Sequence, residues 1–201
     1  EGNIIVNTTD KGTVRLILNN ASINNTTTAP IKVLDAKKVI LTLADNTTNT
    51  ITDSSRLSTE EDYSAAIYSK EDLIINGNGT LNVNAGYRNG IKSTDDCIIV
   101  SGTLNITSTE DGIIGKDLCG IVAGDININA GSDGIKSTYD TDTTKGNVII
   151  EGGNITIKAS NDGIQAENIL VINDGTINIK TNNGAADTTQ THIDNMDMGR
   201  G

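Results

Sequence analysis

Three carboxylates recur at one phase of this 201-residue sequence: Asp111, Asp133 and Asp162 each stand immediately before a glycine. Asn89 and Asn183 hold the same place in "RNGIK" and "NNGAA". If the chain stacks on itself at this period, the five side chains form one column. Neighbouring carboxylates about 4.8 Å apart repel by roughly 3–4 kcal/mol at an effective dielectric of 20. Oxygen donors in that arrangement suit a hard cation, Ca²⁺ above all, with Glu110 and Asn161 beside the column as further ligands. The competing reading is that Asp and Asn cap turns. It accounts fully for the asparagines and less well for three successive aspartates.

A second acidic band lies further along each cycle: Glu71 and Asp72, Asp95 and Asp96, Asp117, then Glu167. The stretch "TYDTDTTKG" adds Asp140 and Asp142, half of an ion-binding loop without the later Glu of an EF-hand. Lys92 and Lys136 follow an apolar residue of the repeat by one position and should point outward, with Gln165 in the same phase. They read either as ordinary surface lysines or as basic partners for an acidic sugar held jointly with a cation. Tyr68, Tyr87 and Tyr139 offer ring faces.

Something must place these residues in register. The glycines after the column residues are Gly90, Gly112, Gly134, Gly163 and Gly184, a period of about 22 with one long step of 29. The long step contains the insertion 138–146. Each cycle also carries a glycine-led alternating segment: "GTLNVNA", "GTLNITS", "GDININA", "GNITIKA" and "GTINIKT". Alternation at period two marks a strand with one buried face. Leu104 and Ile106 face one way in such a segment, and Asn105 faces the other. A third apolar piece ("LII", "CIIV", "VII", "ILVI") completes the cycle. Three short strands per cycle, none able to bury its own face, require stacking. The expected fold is all-β: a right-handed parallel β-helix, a solenoid of about eight coils of roughly 22 residues. Its domain spans 1–187 with insertions near 54–63 and 138–146, followed by a tail at 188–201. The column glycines are expected at positive φ. The residues before them are expected at exposed bends.

Composition agrees. The chain has 21 Gly, 1 Pro, 4 Tyr and neither Trp nor Phe, so its core is built of branched aliphatics, which favour strands. A formal charge of −11 argues against nucleic acid and anionic membranes, which want clustered Lys and Arg. No apolar run reaches the roughly 18 residues of a membrane helix. Cys97 and Cys119 lie 22 residues apart at one phase of the cycle and are expected as stacked core thiols. His192 stands alone, which leaves no histidine-based triad.

The "DGIKS", "DGIQA" and "GTLNIT" elements, over about residues 29–187, resemble the secreted carbohydrate-binding β-helix domains of polysaccharide-degrading anaerobic bacteria. The resemblance implies a parallel β-helix similar to that of family-nine pectate lyases, and an extracellular setting. It also implies bound calcium, with polygalacturonate and cellulose as ligands. It carries over no lyase site. Substrate contacts then fall to Lys92, Lys136, Tyr87, Tyr139 and Gln165. Two alternatives stay open: a lyase in which Lys136 or Lys92 removes the C5 proton of a cation-held uronate, and a calcium-stiffened adhesin or spacer.

Overall fold

A computed structural model describes residues 2–9, 12–54 and 63–182. The expected insertion near 54–63 falls mostly outside the described residues, as do Asn183 and the tail 188–201. The chain winds through seven coils of three strands. The first is β1 (Ile4–Asn7), β2 (Thr13–Leu18) and β3 (Ser22–Asn25). The second is β4 (Ile31–Asp35), β5 (Lys38–Leu43) and β6 (Thr48–Asp53). The third is β7 (Ala65–Ser69), β8 (Asp72–Gly77) and β9 (Thr80–Ala85). The fourth is β10 (Asn89–Ser93), β11 (Asp96–Ile99) and β12 (Thr103–Ser108). The fifth is β13 (Ile113–Gly115), β14 (Leu118–Ile121) and β15 (Asp125–Ala130). The sixth is β16 (Ile135–Lys136), β17 (Asn147–Ile150) and β18 (Asn154–Ala159), and the seventh is β19 (Ile164–Gln165), β20 (Leu170–Ile172) and β21 (Thr176–Thr181).

Each coil gives one strand to each of three seven-stranded parallel sheets. Sheet 1 runs from β1 to β19, sheet 2 from β2 to β20 and sheet 3 from β3 to β21. The fold is the expected β-helix, with seven coils among the described residues rather than eight. At the strand spacing the stack is about 30 Å long.

The interior follows from period two. Leu81, Leu104, Ile126 and Ile155 share one register column and are fully buried. Val39, Leu73, Cys97, Cys119 and Val148 form another. Cys97 and Cys119 are free, adjacent and buried, as expected. Burial pushes the Cys119 thiol up to about 12 and Cys97 well above its ordinary value.

The column glycines correct the sequence reading. Gly90, Gly112, Gly134 and Gly163 do not take positive φ. They are required by close approach: a Cβ on Gly112 would sit 2.5 Å from the Gly134 carbonyl oxygen and 2.5 Å from Ile128 Cγ2. Positive φ occurs instead at Gly102, Gly124, Gly153 and Gly175 between sheets 2 and 3, at Gly77 at the end of β8, and at Gly146 in the insertion.

Candidate functional site

The Asp/Asn column exists, and its chemistry is first of all structural. Asn89 Oδ1 accepts from the Asp111 amide at 3.1 Å, Asp111 Oδ1 from the Asp133 amide at 3.0 Å, and Asp133 Oδ1 from the Asp162 amide at 3.0 Å. Each side chain therefore caps the next coil up. Asn89 Nδ2 donates to the Ser64 carbonyl below at 2.7 Å. The expected exposed bend is wrong for Asn89 and Asp133, which are buried beneath the neighbouring turns; Asp162, at the upper end, is exposed. Lys136 Nζ closes on Asp133 Oδ2 at 2.7 Å, so the central carboxylate has a counterion and both its oxygens are engaged. The flanking residues are engaged as well: Glu110 pairs with Arg88 at 3.1 Å, and Asn161 Nδ2 donates to Ser132 Oγ at 3.0 Å.

The second acidic band is different. Asp72, Asp95 and Asp96 bring carboxylate oxygens within 4.8 Å of one another. Lys38, Asp72 and Asp96 occupy one register column at the edge of sheet 2, one coil apart, while Asp95 comes from the preceding corner. No Lys or Arg forms an ion pair with any of the three among the described residues. Burial and the neighbouring Asp72 push Asp95 up to about 6, helped by a hydrogen bond to Asp117. Asp96 is raised by burial, Asp72 and Asp117, with Lys145 working against them. Three half-buried, unneutralised carboxylates on adjacent coils form a donor set that fits a hard divalent cation. The sequence reading named this band and assigned Ca²⁺ to the Asp/Asn column.

The insertion 138–146 docks beside this cluster. Lys116 O accepts from the amides of Thr138 and Tyr139, Asp117 O accepts from those of Gly146 and Asn147, and Lys145 pairs with the Asp117 carboxylate. Two ammonium groups lie over the Tyr139 ring, Lys116 at 4.8 Å and Lys145 at 4.9 Å from its centroid. Tyr87 has Arg88 at 5.9 Å. Tyr68 cannot serve as a platform, because it is buried against Tyr63, Ala29 and Ala65.

Lys92 and Lys136 share a column of sheet 1 with Ile114 and Gln165. Their environments diverge. Lys136 is raised: burial opposes its charge, but the Asp133 hydrogen bond and the column carboxylates outweigh it. Lys92 is lowered by burial and by Arg88, and its Nζ donates to Ser64 Oγ at 3.1 Å.

The outer face of sheet 2 carries a feature the sequence reading passed over. Ile40, Ile74, Ile98, Ile149 and Val171 stack outward in one column, interrupted at Gly120. The gap leaves an apolar notch of about 210 Å³ between Ile98, Leu118, Val122 and Ile149. Asp72 and Asp96 stand in the next column, so carboxylates border an aliphatic strip.

The family model described as "Carbohydrate-binding domain-containing protein" matches residues 1–199. A carbohydrate-binding domain-containing protein of Acetivibrio thermocellus is 36% identical over 110 residues, which is 53% of this chain and 38% of that one. The chain thus matches well under half of that relative's length. A solved structure described as a polysaccharide lyase-like protein from C. thermocellum, gadolinium derivative, superposes with a TM-score of 0.79 at 34% identity, covering 90% of this chain and 78% of that one. With its repeats, its three parallel sheets and a family match over nearly its whole length, this chain belongs to the carbohydrate-binding domain family.

Proposed function

We propose that this chain is a non-catalytic, calcium-dependent polysaccharide-binding protein of extracellular surfaces, taking acidic pectic polymers such as polygalacturonate and neutral glucans such as cellulose. The observation that carries the reading is the convergence of Asp72, Asp95 and Asp96 beside the aliphatic strip of sheet 2. Ca²⁺ would be held by these three carboxylates, and its chemistry there is to offer a positive charge to a uronate carboxylate. The strip suits the C–H faces of sugar rings, a surface that aromatic residues would otherwise supply. The column from Asn89 to Asp162 then keeps its structural work, and Lys136 is spent on Asp133.

The test is affinity electrophoresis through gels containing polygalacturonate or a soluble cellulose derivative, with Ca²⁺ or EDTA. Polygalacturonate should retard the chain more strongly with Ca²⁺, and Asp95→Asn/Asp96→Asn should remove that increment while leaving glucan retardation in place. Absence of retardation on both polymers under both conditions overturns the reading.

One observation favours a second reading, a lyase. Its base would be Lys92, whose pKa is lowered, rather than Lys136. Calcium-dependent growth of an ultraviolet-absorbing unsaturated product, abolished by Lys92→Ala and retained in Lys136→Ala, would establish it.

A further inference from the structure

On sheet 3 the outward column next to the Asn ladder reads Asn84, Thr107, Asn129, Lys158, Lys180 from the third coil to the seventh. The two lysines are register partners one coil apart and both are exposed. Two ammonium groups about 4.8 Å apart repel, as stacked carboxylates do. Among the described residues no carboxylate forms an ion pair with either one. Asp125 is the outward acid on the neighbouring strand, and it lies in the column of Asn154, four residues or about 13 Å along the strand from Lys158. It is occupied by Asn154 Nδ2 at 2.8 Å.

Around the lysines the surface is grooved, with polar side chains along the rims and Ile106 and Ile128 in the floor of the first groove. One shallow groove of about 240 Å³ runs between the column of Asn105, Asn127 and Thr156 and the column of Thr107, Asn129 and Lys158. A second of about 200 Å³ adjoins it, lined by Asn129, Lys158, Ser160, Lys180 and Asn182. Asn129 and Lys158 line both, so the two grooves flank the same pair of residues. The amides of the Asn ladder are fixed: Asn105 Nδ2 donates to Asn82 Oδ1 at 2.9 Å, and Asn127 Nδ2 to Asn105 Oδ1 at 3.1 Å.

We infer that the outer face of sheet 3 over the fifth to seventh coils is a second, calcium-independent polysaccharide site, in which Lys158 and Lys180 pair with carboxylates of an acidic sugar polymer and Asn129, Ser160 and Asn182 take its hydroxyls. The inference rests on the carbohydrate-binding reading and adds a separate face of the rod. Its ligand is a polymer with recurring carboxylates, since two stacked cations without anions suit recurring charges better than one. Two faces on one rod would let a single chain bridge two polymer strands.

The experiment is affinity electrophoresis on polygalacturonate in EDTA, with mobility corrected against polymer-free gels. The unmodified chain and Asp95→Asn should both remain retarded. Lys158→Gln/Lys180→Gln should bind about tenfold more weakly, as loss of two exposed charge pairs implies, and Lys158→Arg/Lys180→Arg should retain binding. Circular dichroism checks that the variants, those of Lys158 and Lys180 at exposed positions, keep their fold. EDTA-resistant retardation that is unchanged in the double glutamine variant overturns the site. So does its absence from the unmodified chain. If calcium-dependent retardation persists in that last case, only the sheet 3 site falls; if no retardation occurs on any polymer with or without Ca²⁺, the carbohydrate-binding reading falls with it.

Discussion

At the scale of single residues, two sets of acids in one chain behave oppositely because of what lies one coil above. Asp111 and Asp133 each receive a backbone N–H from the next coil, and Asp133 also has Lys136. Asp95 has burial, Asp72 and Asp117, which together raise it from 3.8 to about 6. The sign of the pH effect follows. The folded chain without metal keeps a proton that the unfolded chain releases between about pH 4 and pH 6. Its stability therefore falls as pH rises through that window and is level above it. Calcium needs the ionised carboxylates, so the melting-temperature gain from Ca²⁺ should grow over the same range. Asp95→Asn should flatten the metal-free slope, leave the metal-free protein equally or more stable, and remove most of the calcium gain. Thermal melts at about pH 4 and pH 7, in EDTA and in Ca²⁺, measure all three. A calcium gain equal at both ends would mean that Asp95 is not a ligand.

At the scale of elements, the strands were legible because each has one buried face, and alternation such as Leu104-Asn105-Ile106 encodes that directly. The 22-residue step then put Cys97 over Cys119 and Leu104 over Ile126 without further information. The reason for each glycine was not legible. Gly112 is required by packing alone, whereas Gly124 takes a φ of 119° and also lies where a Cβ would meet the Gly102 carbonyl oxygen at 2.7 Å. The acidic cluster was half legible. Asp72 and Asp96 share a phase, but the strict Asp-Gly column drew the ligand assignment, since its capping of the next coil depends on side-chain direction. The glycines give the test at this scale. Gly112→Ala drives a Cβ into backbone of the next coil and should destabilise by about 1–3 kcal/mol. Gly120→Ala meets only the Ile98 side chain, at 3.5 Å or more, and takes no positive φ. It should be neutral or stabilise by about 0.5 kcal/mol. Chemical denaturation of the two variants distinguishes them, and equal losses would contradict the packing account.

At the scale of the molecule, a β-helix is a one-dimensional stack in which each coil is held mainly by its neighbours. Within the described residues β21 pairs on one side only, and Ile169, Leu170, Ile172 and Ile179 in the seventh coil are about half exposed. The Asp72, Asp95 and Asp96 cluster joins the third coil to the fourth, in the middle of the stack. A calcium ion held there would act as a staple between coils. It should add roughly 2.7 kcal/mol at a hundredfold excess over its Kd. EDTA should lower the melting temperature, and Mg²⁺ should restore it less well than Ca²⁺, because Mg²⁺ demands a stricter geometry. Hydrogen exchange locates the staple. Amides of β8 and β11, such as those of Ile74 and Ile98, should gain the most protection on adding Ca²⁺, with the gain declining toward β21. If the greatest gain instead falls on the amides of Asp133 and Asp162, the ion sits on the Asp/Asn column, and the cluster at the edge of sheet 2 is only a strained acidic patch.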